Sequence, residues 1–123
     1  MKISLKKIFY SVLFACRGIK YAFLHQQNFF LMIIIAIGTI ILGWWLALSY
    51  YEWLIVILII CLVLSLEIVN TAWEKTLDFL EPNFSAKIKT IKDLIAGAIV
   101  ISVLGSIAIG AIIFLPKLLN FLK

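Results

Sequence analysis

Three long apolar stretches dominate the chain, and short polar segments separate them. The first covers about residues 29–48, the second begins at residue 53, and the third covers about residues 94–115. A helix that crosses a membrane needs about 20 consecutive apolar residues. The runs are continuous and lack period-two alternation, so helices are favoured over the strands of a barrel. The pattern therefore predicts three transmembrane helices, over residues 29–50, 53–80 and 87–115.

The second stretch differs from the others because its apolar part ends at Leu66. Residues 67–80 continue it with several polar side chains. Polar groups inside a membrane helix face a bundle interior or a polar interface, because lipid does not solvate them. This helix is therefore predicted to extend past the apolar layer, or to bury its polar part within a bundle.

Residues 2–25 form a segment of another kind, in which basic and apolar residues follow a helical period. The segment predicts an amphipathic helix that lies in the membrane interface. A signal peptide is the alternative, but the apolar stretch at residues 8–15 is short and Arg17 follows it at once. One side of the predicted helix, spanning about 100°, carries polar and tyrosine side chains: Lys2, Lys6, Tyr10, Arg17, Lys20 and Tyr21.

Composition agrees with a membrane protein that forms one domain over residues 1–123. Hydrophobic residues make up 65% of the chain and charged residues 14%, and the mean hydropathy is +1.18. Soluble domains average about 45–50% apolar and about 25% charged residues. These values exclude a soluble enzyme, a disordered chain and a disulfide-stapled secreted domain. The 2 cysteines and 1 histidine also argue against a disulfide framework and a transition-metal site.

The basic residues predict the orientation in the membrane. The net charge is +5, and the basic residues flank apolar segments, so anionic lipid and topology explain them better than nucleic acid does. The positive-inside rule places the N-terminus and residues 75–93 in the cytoplasm, and the turn at 49–52 and the C-terminus outside. Pro82 marks the cytoplasmic turn, and Pro116 is predicted to end the third span.

The acidic residues are concentrated in one region. On a helix, five polar residues fall within about 80° of one another: Glu67, Asn70, Glu74, Asp78 and Glu81. Like charges at such spacings repel, so a divalent cation, a basic partner or a metal-bound polyphosphate is expected to neutralise them. For Glu81 a solvated helix face is the favoured interpretation, and for Asp78 it is the alternative.

The chemistry that fits this stripe is phosphoryl transfer. Mg²⁺ takes one or two carboxylates together with substrate phosphates. Lys89, Lys92 and Asp93 open the third span at the same level, and a lysine beside a metal offsets the charge that develops on phosphate oxygens. A carboxylate at the membrane boundary can also take the proton of a lipid hydroxyl. The chain has no P-loop and no GxGxxG motif, and residues 96–98 (Ala-Gly-Ala) are interpreted as a close helix contact.

The motifs resemble those of the bacterial diacylglycerol kinase / undecaprenol kinase family. Residues 67–74 read E-x-x-N-T-A-x-E, and Lys92-Asp93 follow about 18 residues after the last glutamate. The resemblance extends over about residues 10–115 and includes the sequence RGIKYA that begins at Arg17. It implies a multi-pass bacterial inner membrane protein with three spans and an N-terminal surface helix, assembled as a homotrimer with shared sites.

The resemblance also implies a lipid kinase that transfers the γ-phosphate of ATP with Mg²⁺. Glu67 resembles the family's general base, and Asn70 resembles its supporting polar residue. Glu74 resembles a metal-binding carboxylate. The residues that resemble nucleotide- and phosphate-facing positions are Asp78, Lys92 and Asp93.

One position departs from the family pattern. Gln26 stands where a glutamate usually helps to hold the metal, just before the first span. An amide oxygen can bind Mg²⁺ but brings no charge, so weaker metal binding or lower turnover is expected. Two other functions stay open: a weak or inactive relative that only binds nucleotide or partners, and a small oligomer that conducts ions or protons through an acidic ring.

Overall fold

The computed structural model describes residues 1–123 and contains four helices and no strands. They are α1 (Leu5–His25), α2 (Gln27–Trp45), α3 (Tyr50–Leu80) and α4 (Ala86–Leu122). By length and composition, α2, α3 and α4 could each cross a membrane. The prediction of an all-helical membrane protein with an N-terminal helix and three spans is confirmed.

Helix α3 is the centre of the bundle because it contacts each of the other helices. The turn at residues 46–49 joins α2 to α3, and the loop at residues 81–85 joins α3 to α4. We call the two ends of the bundle the turn end and the loop end. A small core of Leu48, Val56, Ile113 and Phe114 lies at the turn end. The buried polar side chains of α3 lie farther along this helix, toward the loop end.

The turn between α2 and α3 lies earlier than the sequence predicted. We expected the first span to reach residue 50 and the connection to occupy residues 49–52. The helix instead ends at Trp45, and Ala47 takes a left-handed conformation with φ 53°. Ser49 and Glu52 then form a capping box, in which each side chain accepts a hydrogen bond from the other residue's backbone N–H. Ser49 therefore caps α3 from the end of the turn, and Glu52 lies in the first turn of the helix.

Helix α4 also departs from the prediction, because it continues through Pro116 to Leu122. Proline removes one backbone hydrogen bond and usually kinks or ends a helix. Here contacts on both sides hold the segment. Phe114 is buried before the proline, and Lys117 Nζ lies 3.2 Å from the Glu52 carboxylate after it. The ring of Phe121 packs against Trp45 with centroids 4.5 Å apart.

Helix α1 begins where Ser4 caps it, and its surface is largely uncovered. The Ser4 hydroxyl accepts a hydrogen bond from the Lys7 backbone N–H at 3.4 Å. Ala22 is the one buried residue of this helix. Large apolar side chains such as Phe9 and Phe14 are exposed within the chain. An uncovered apolar face on a basic helix is the pattern expected of a helix that lies on a membrane surface.

Candidate active site

The polar stripe of α3 is buried at one end and open at the other. Glu67 is 2% exposed and Asn70 is 9% exposed. Glu74 is partly exposed, and the Asp78 side chain is 65% exposed. Glu81 falls outside the helix, because α3 ends at Leu80. The predicted stripe therefore holds over four residues, and it leads from the buried interior toward the loop end.

Glu67 has a carboxylate oxygen without a partner. Its Oε2 atom is buried and makes no hydrogen bond. Buried polar atoms are nearly always paired, so such an atom calls for a specific explanation. Keeping an unpaired charge away from water is costly, and a cation or a hydroxyl donor at this oxygen would remove that cost. Among the residues of the stripe, Glu67 is therefore the one best placed to accept a proton or to bind a ligand.

Thr71 is a buried member of this region that the sequence analysis did not single out. It is 6% exposed, and its hydroxyl donates to the Glu67 backbone carbonyl at 3.0 Å. Because this bond satisfies the hydroxyl within the helix, Thr71 packs beside Glu67 without offering a free polar group. The signal for Thr71 was present in the E-x-x-N-T pattern, where it follows Asn70 directly.

Two ion pairs lie at the loop end and involve all three residues predicted to face nucleotide. Lys92 of α4 reaches across to Asp78 of α3, with Nζ 2.5 Å from Oδ1. Within α4, Lys89 Nζ lies 2.7 Å from Asp93 Oδ2. All four side chains are substantially exposed, and exposed ion pairs contribute little to stability. These pairs can therefore exchange for contacts with a polyphosphate and its metal at little cost.

Gln26 occupies the junction between α1 and α2. Its backbone is extended, its N–H donates to the Ala22 carbonyl at 2.9 Å, and its carbonyl accepts from the Phe30 N–H at 3.0 Å. The side chain is half-buried and does not cap α2. The backbone of Gln26 is therefore fixed by the helices on both sides, while its amide oxygen stays available.

The donor groups fit a hard divalent cation. Glu74 and Gln26 offer oxygen atoms, which Mg²⁺ prefers, and no group of three His, Cys, Asp or Glu side chains is gathered within the chain. Mg²⁺ usually binds through one or two carboxylates and completes its shell with phosphate oxygens and water. The unpaired Glu67 oxygen lies on the same helix face, two turns before Glu74. The residues present therefore suit Mg²⁺ that arrives with a nucleotide.

An apolar cavity of about 350 Å³ lies between α2, α3 and α4. Leu64, one helical turn before Glu67, forms part of its wall. The hydroxyls of Thr39 and Ser106 also line the cavity, but each donates to a carbonyl of its own helix, at 2.8 and 2.7 Å. The cavity thus offers an apolar surface without free hydrogen-bonding groups.

Comparison with known proteins identifies the family. Residues 13–114 match the family model described as prokaryotic diacylglycerol kinase. The chain belongs to the prokaryotic diacylglycerol kinase family. The undecaprenol kinase of Bacillus subtilis (strain 168) is 38% identical over 114 residues, which cover 93% of each chain. The diacylglycerol kinase of Synechocystis sp. is 30% identical over 110 residues, 89% of this chain and 63% of that protein.

A diacylglycerol kinase of Helicobacter pylori (strain 26695) is also similar, with 30% identity over 93 residues, 76% of this chain and 73% of that one. Membership of the prokaryotic diacylglycerol kinase family confirms the predicted resemblance and the prediction of a lipid kinase. It favours that prediction over an ion-conducting oligomer. The matched region contains every predicted site residue, from Gln26 to Asp93.

Proposed function

We propose that this chain transfers the γ-phosphoryl group of ATP to the hydroxyl of a membrane lipid alcohol, with Mg²⁺ as cofactor. The observation that carries the proposal is Glu67, a buried carboxylate with an unpaired oxygen on a helix that could cross a membrane. A carboxylate at that depth suits the proton of a hydroxyl held in the membrane, which a base in bulk water would not reach.

The proposed step has balanced atoms and charges. Glu67 accepts the proton of the lipid hydroxyl, and the lipid oxygen forms a bond to the γ-phosphorus. The bond between that phosphorus and the β,γ-bridging oxygen breaks, and ADP leaves with the bond's electron pair. The products are a lipid phosphomonoester, ADP and the proton on Glu67, which later passes to water. Asn70, one helical turn away, orients the carboxylate or the hydroxyl.

The other site residues handle the nucleotide in this proposal. Glu74 and Gln26 would hold Mg²⁺, which neutralises phosphate charge when it is bound. Lys92 leaves Asp78 and donates to a phosphate oxygen, where charge develops during transfer. Asp78 and Asp93 then bind the nucleotide through its metal or its ribose hydroxyls.

Undecaprenol is the acceptor that we propose, with diacylglycerol as the alternative. The relative named undecaprenol kinase has 38% identity over nearly the full length of both chains, whereas the relatives named diacylglycerol kinase have about 30%. The apolar cavity beside Leu64 suits a lipid chain of either type, because its lining has no free polar group for selecting a head group.

A side-by-side acceptor assay tests this proposal. Purified protein in vesicles receives Mg²⁺, labelled ATP and equal amounts of the two lipids. We expect labelled undecaprenyl phosphate to form faster than labelled phosphatidic acid. Faster labelling of diacylglycerol would make diacylglycerol the preferred acceptor, while the proposed kinase activity would still hold. An absence of label in both lipids would contradict the proposed function.

We further propose a homotrimer in the bacterial inner membrane, with the N-terminus and the site in the cytoplasm and the C-terminus outside. The distribution of Lys and Arg supports this orientation. The exposed residues 96–98 and the open space around Gly97 are consistent with a second copy packing there. A neighbouring copy would also bring further carboxylates to a site shared between chains.

The main alternative is a relative with weak activity, and Gln26 motivates it. We predict that Gln26→Glu tightens Mg²⁺ binding about tenfold or more, because it adds a negative charge to the donor set. Gln27→Glu is the matched control, since it adds the same charge one residue later on an exposed position. The measurement is the Mg²⁺ dependence of lipid phosphorylation. Equal effects of the two variants would argue against Gln26 as a metal ligand. A large rise in the turnover of Gln26→Glu would indicate that the wild-type chain is a weakly active member of the family.

A further inference from the structure

A lysine of α3 contacts an aromatic ring of α1. Lys75 Nζ lies 4.9 Å from the centroid of the Tyr21 ring. Cations within about 6 Å of an aromatic centroid are attracted by the negative face of the ring. Both side chains are exposed, so the packing of a core does not force them together. The contact is therefore a specific attraction between α1 and α3.

The other inter-helix contacts of α1 include one with α2, where the Phe23 ring packs against Phe30 with centroids 5.2 Å apart. Ala22, the one buried residue of the helix, directly follows Tyr21. Tyr21 also stacks on His25, with centroids 4.5 Å apart and planes 16° apart, and the Tyr21 carbonyl accepts a hydrogen bond from His25 Nδ1 at 3.1 Å. These contacts hold the Tyr21 and His25 rings together in the last turn of α1, and the Tyr21–Lys75 contact links this turn to α3.

The Tyr21–Lys75 contact lies close to both proposed metal ligands along the chain. Gln26 follows His25, and its N–H bonds the carbonyl of Ala22. Lys75 directly follows Glu74 along α3. The Tyr21–Lys75 contact therefore connects the segment that carries one ligand with the segment that carries the other.

We propose that Tyr21 and Lys75 are positioning residues for the kinase reaction. Their contact adds to the Phe23–Phe30 contact with α2 in setting the angle of α1 against α3, and it thereby helps to place the Gln26 segment relative to Glu74. Neither residue touches the reacting atoms. The kinetic consequence rests on the proposed function, whereas the helix orientation does not.

The first experiment measures the orientation itself. Cys16 on α1 and Cys61 on α3 are free and exposed, so the native chain can carry a spin label at each site. Labelled protein is diluted into unlabelled chains that lack both cysteines, so that only distances within one chain contribute. We expect a narrow distance distribution that widens in Lys75→Met and narrows again in Lys75→Arg, because arginine also makes cation–π contacts.

The second experiment measures the consequence for the site. We expect Lys75→Met and Tyr21→Leu to weaken the Mg²⁺-dependent binding of a non-hydrolysable ATP analogue about two- to fivefold, which corresponds to an exposed cation–π contact. Lys75→Arg and Tyr21→Phe should bind as the wild type does. Lys87→Met is the control, because Lys87 forms no ion pair or aromatic contact.

The outcomes separate this inference from the proposed function. An unchanged distance distribution or an unchanged affinity in Lys75→Met would overturn the positioning role. Failure of the proposed function would instead appear as wild-type protein that phosphorylates no lipid, while the variants still alter the distances and the analogue binding.

Discussion

Replacing Glu67 with glutamine is expected to lower kcat by about 10²- to 10⁴-fold, the range typical of a general base. Glutamine keeps the size of the side chain but cannot accept the proton of the lipid hydroxyl. The fold should survive, because the change keeps the size of the side chain and removes the negative charge of a buried carboxylate. The measurement is the initial rate of lipid phosphorylation at saturating ATP, with helix content and oligomer size checked in parallel.

Glu81→Gln is the matched control for this variant. Glu81 is exposed and directly follows α3, so the same chemical change should leave kcat unaltered. A folded Glu67→Gln protein with wild-type turnover would exclude Glu67 as the base. Equal losses in both variants would point to a general effect of charge and would contradict the assignment as well.

Replacing Lys92 with methionine is the second change with a large expected effect. Methionine retains much of the length and the apolar stem but removes the ammonium group. Loss of one preorganised donor to developing charge typically lowers kcat about 10²- to 10³-fold. The ion pair with Asp78 is exposed and contributes little to stability, so the thermal midpoint should change far less than the activity. Rates and thermal unfolding in detergent provide the two measurements.

Lys87→Met serves as the control for Lys92→Met. Lys87 lies in the first turn of α4, is exposed and has no acidic partner. It should keep full activity. A folded Lys92→Met protein with wild-type kcat, or an equal loss of kcat in Lys87→Met, would contradict the role of Lys92 at the phosphate.

Most of the fold could be predicted from the sequence, because a helix that crosses lipid must be long and apolar. Long uncharged runs predicted three helices, and all three are present. The errors have local causes. Ser49 and Glu52 read as a polar connection, although the spacing S-x-x-E also signals a capping box. Pro116 read as a helix end, although burial of Phe114 and the Lys117–Glu52 pair hold the helix beyond it.

The part of the candidate site that lies on a single helix could be predicted from the sequence. The shared face of Glu67, Asn70, Glu74 and Asp78 follows from helical geometry alone. Side-chain contacts between helices could not be predicted, because they depend on the crossing angles of the helices and on side-chain conformations. The spacing of residues along the sequence does not determine either. The Asp78–Lys92 pair and the Tyr21–Lys75 contact belong to this second group.

Glu67 is expected to act as the base in a phosphoryl transfer from ATP to a lipid hydroxyl. Phosphorus NMR on vesicles that contain the wild-type protein, undecaprenol, ATP and Mg²⁺ follows every phosphorus atom at once. We predict that each γ-phosphate lost from ATP appears as one lipid phosphomonoester, and that the Glu67→Gln protein produces both changes at least about 10²-fold more slowly. Conversion of the γ-phosphate to inorganic phosphate would contradict transfer to the lipid, and an equal rate in the variant would contradict the role of Glu67 as the base.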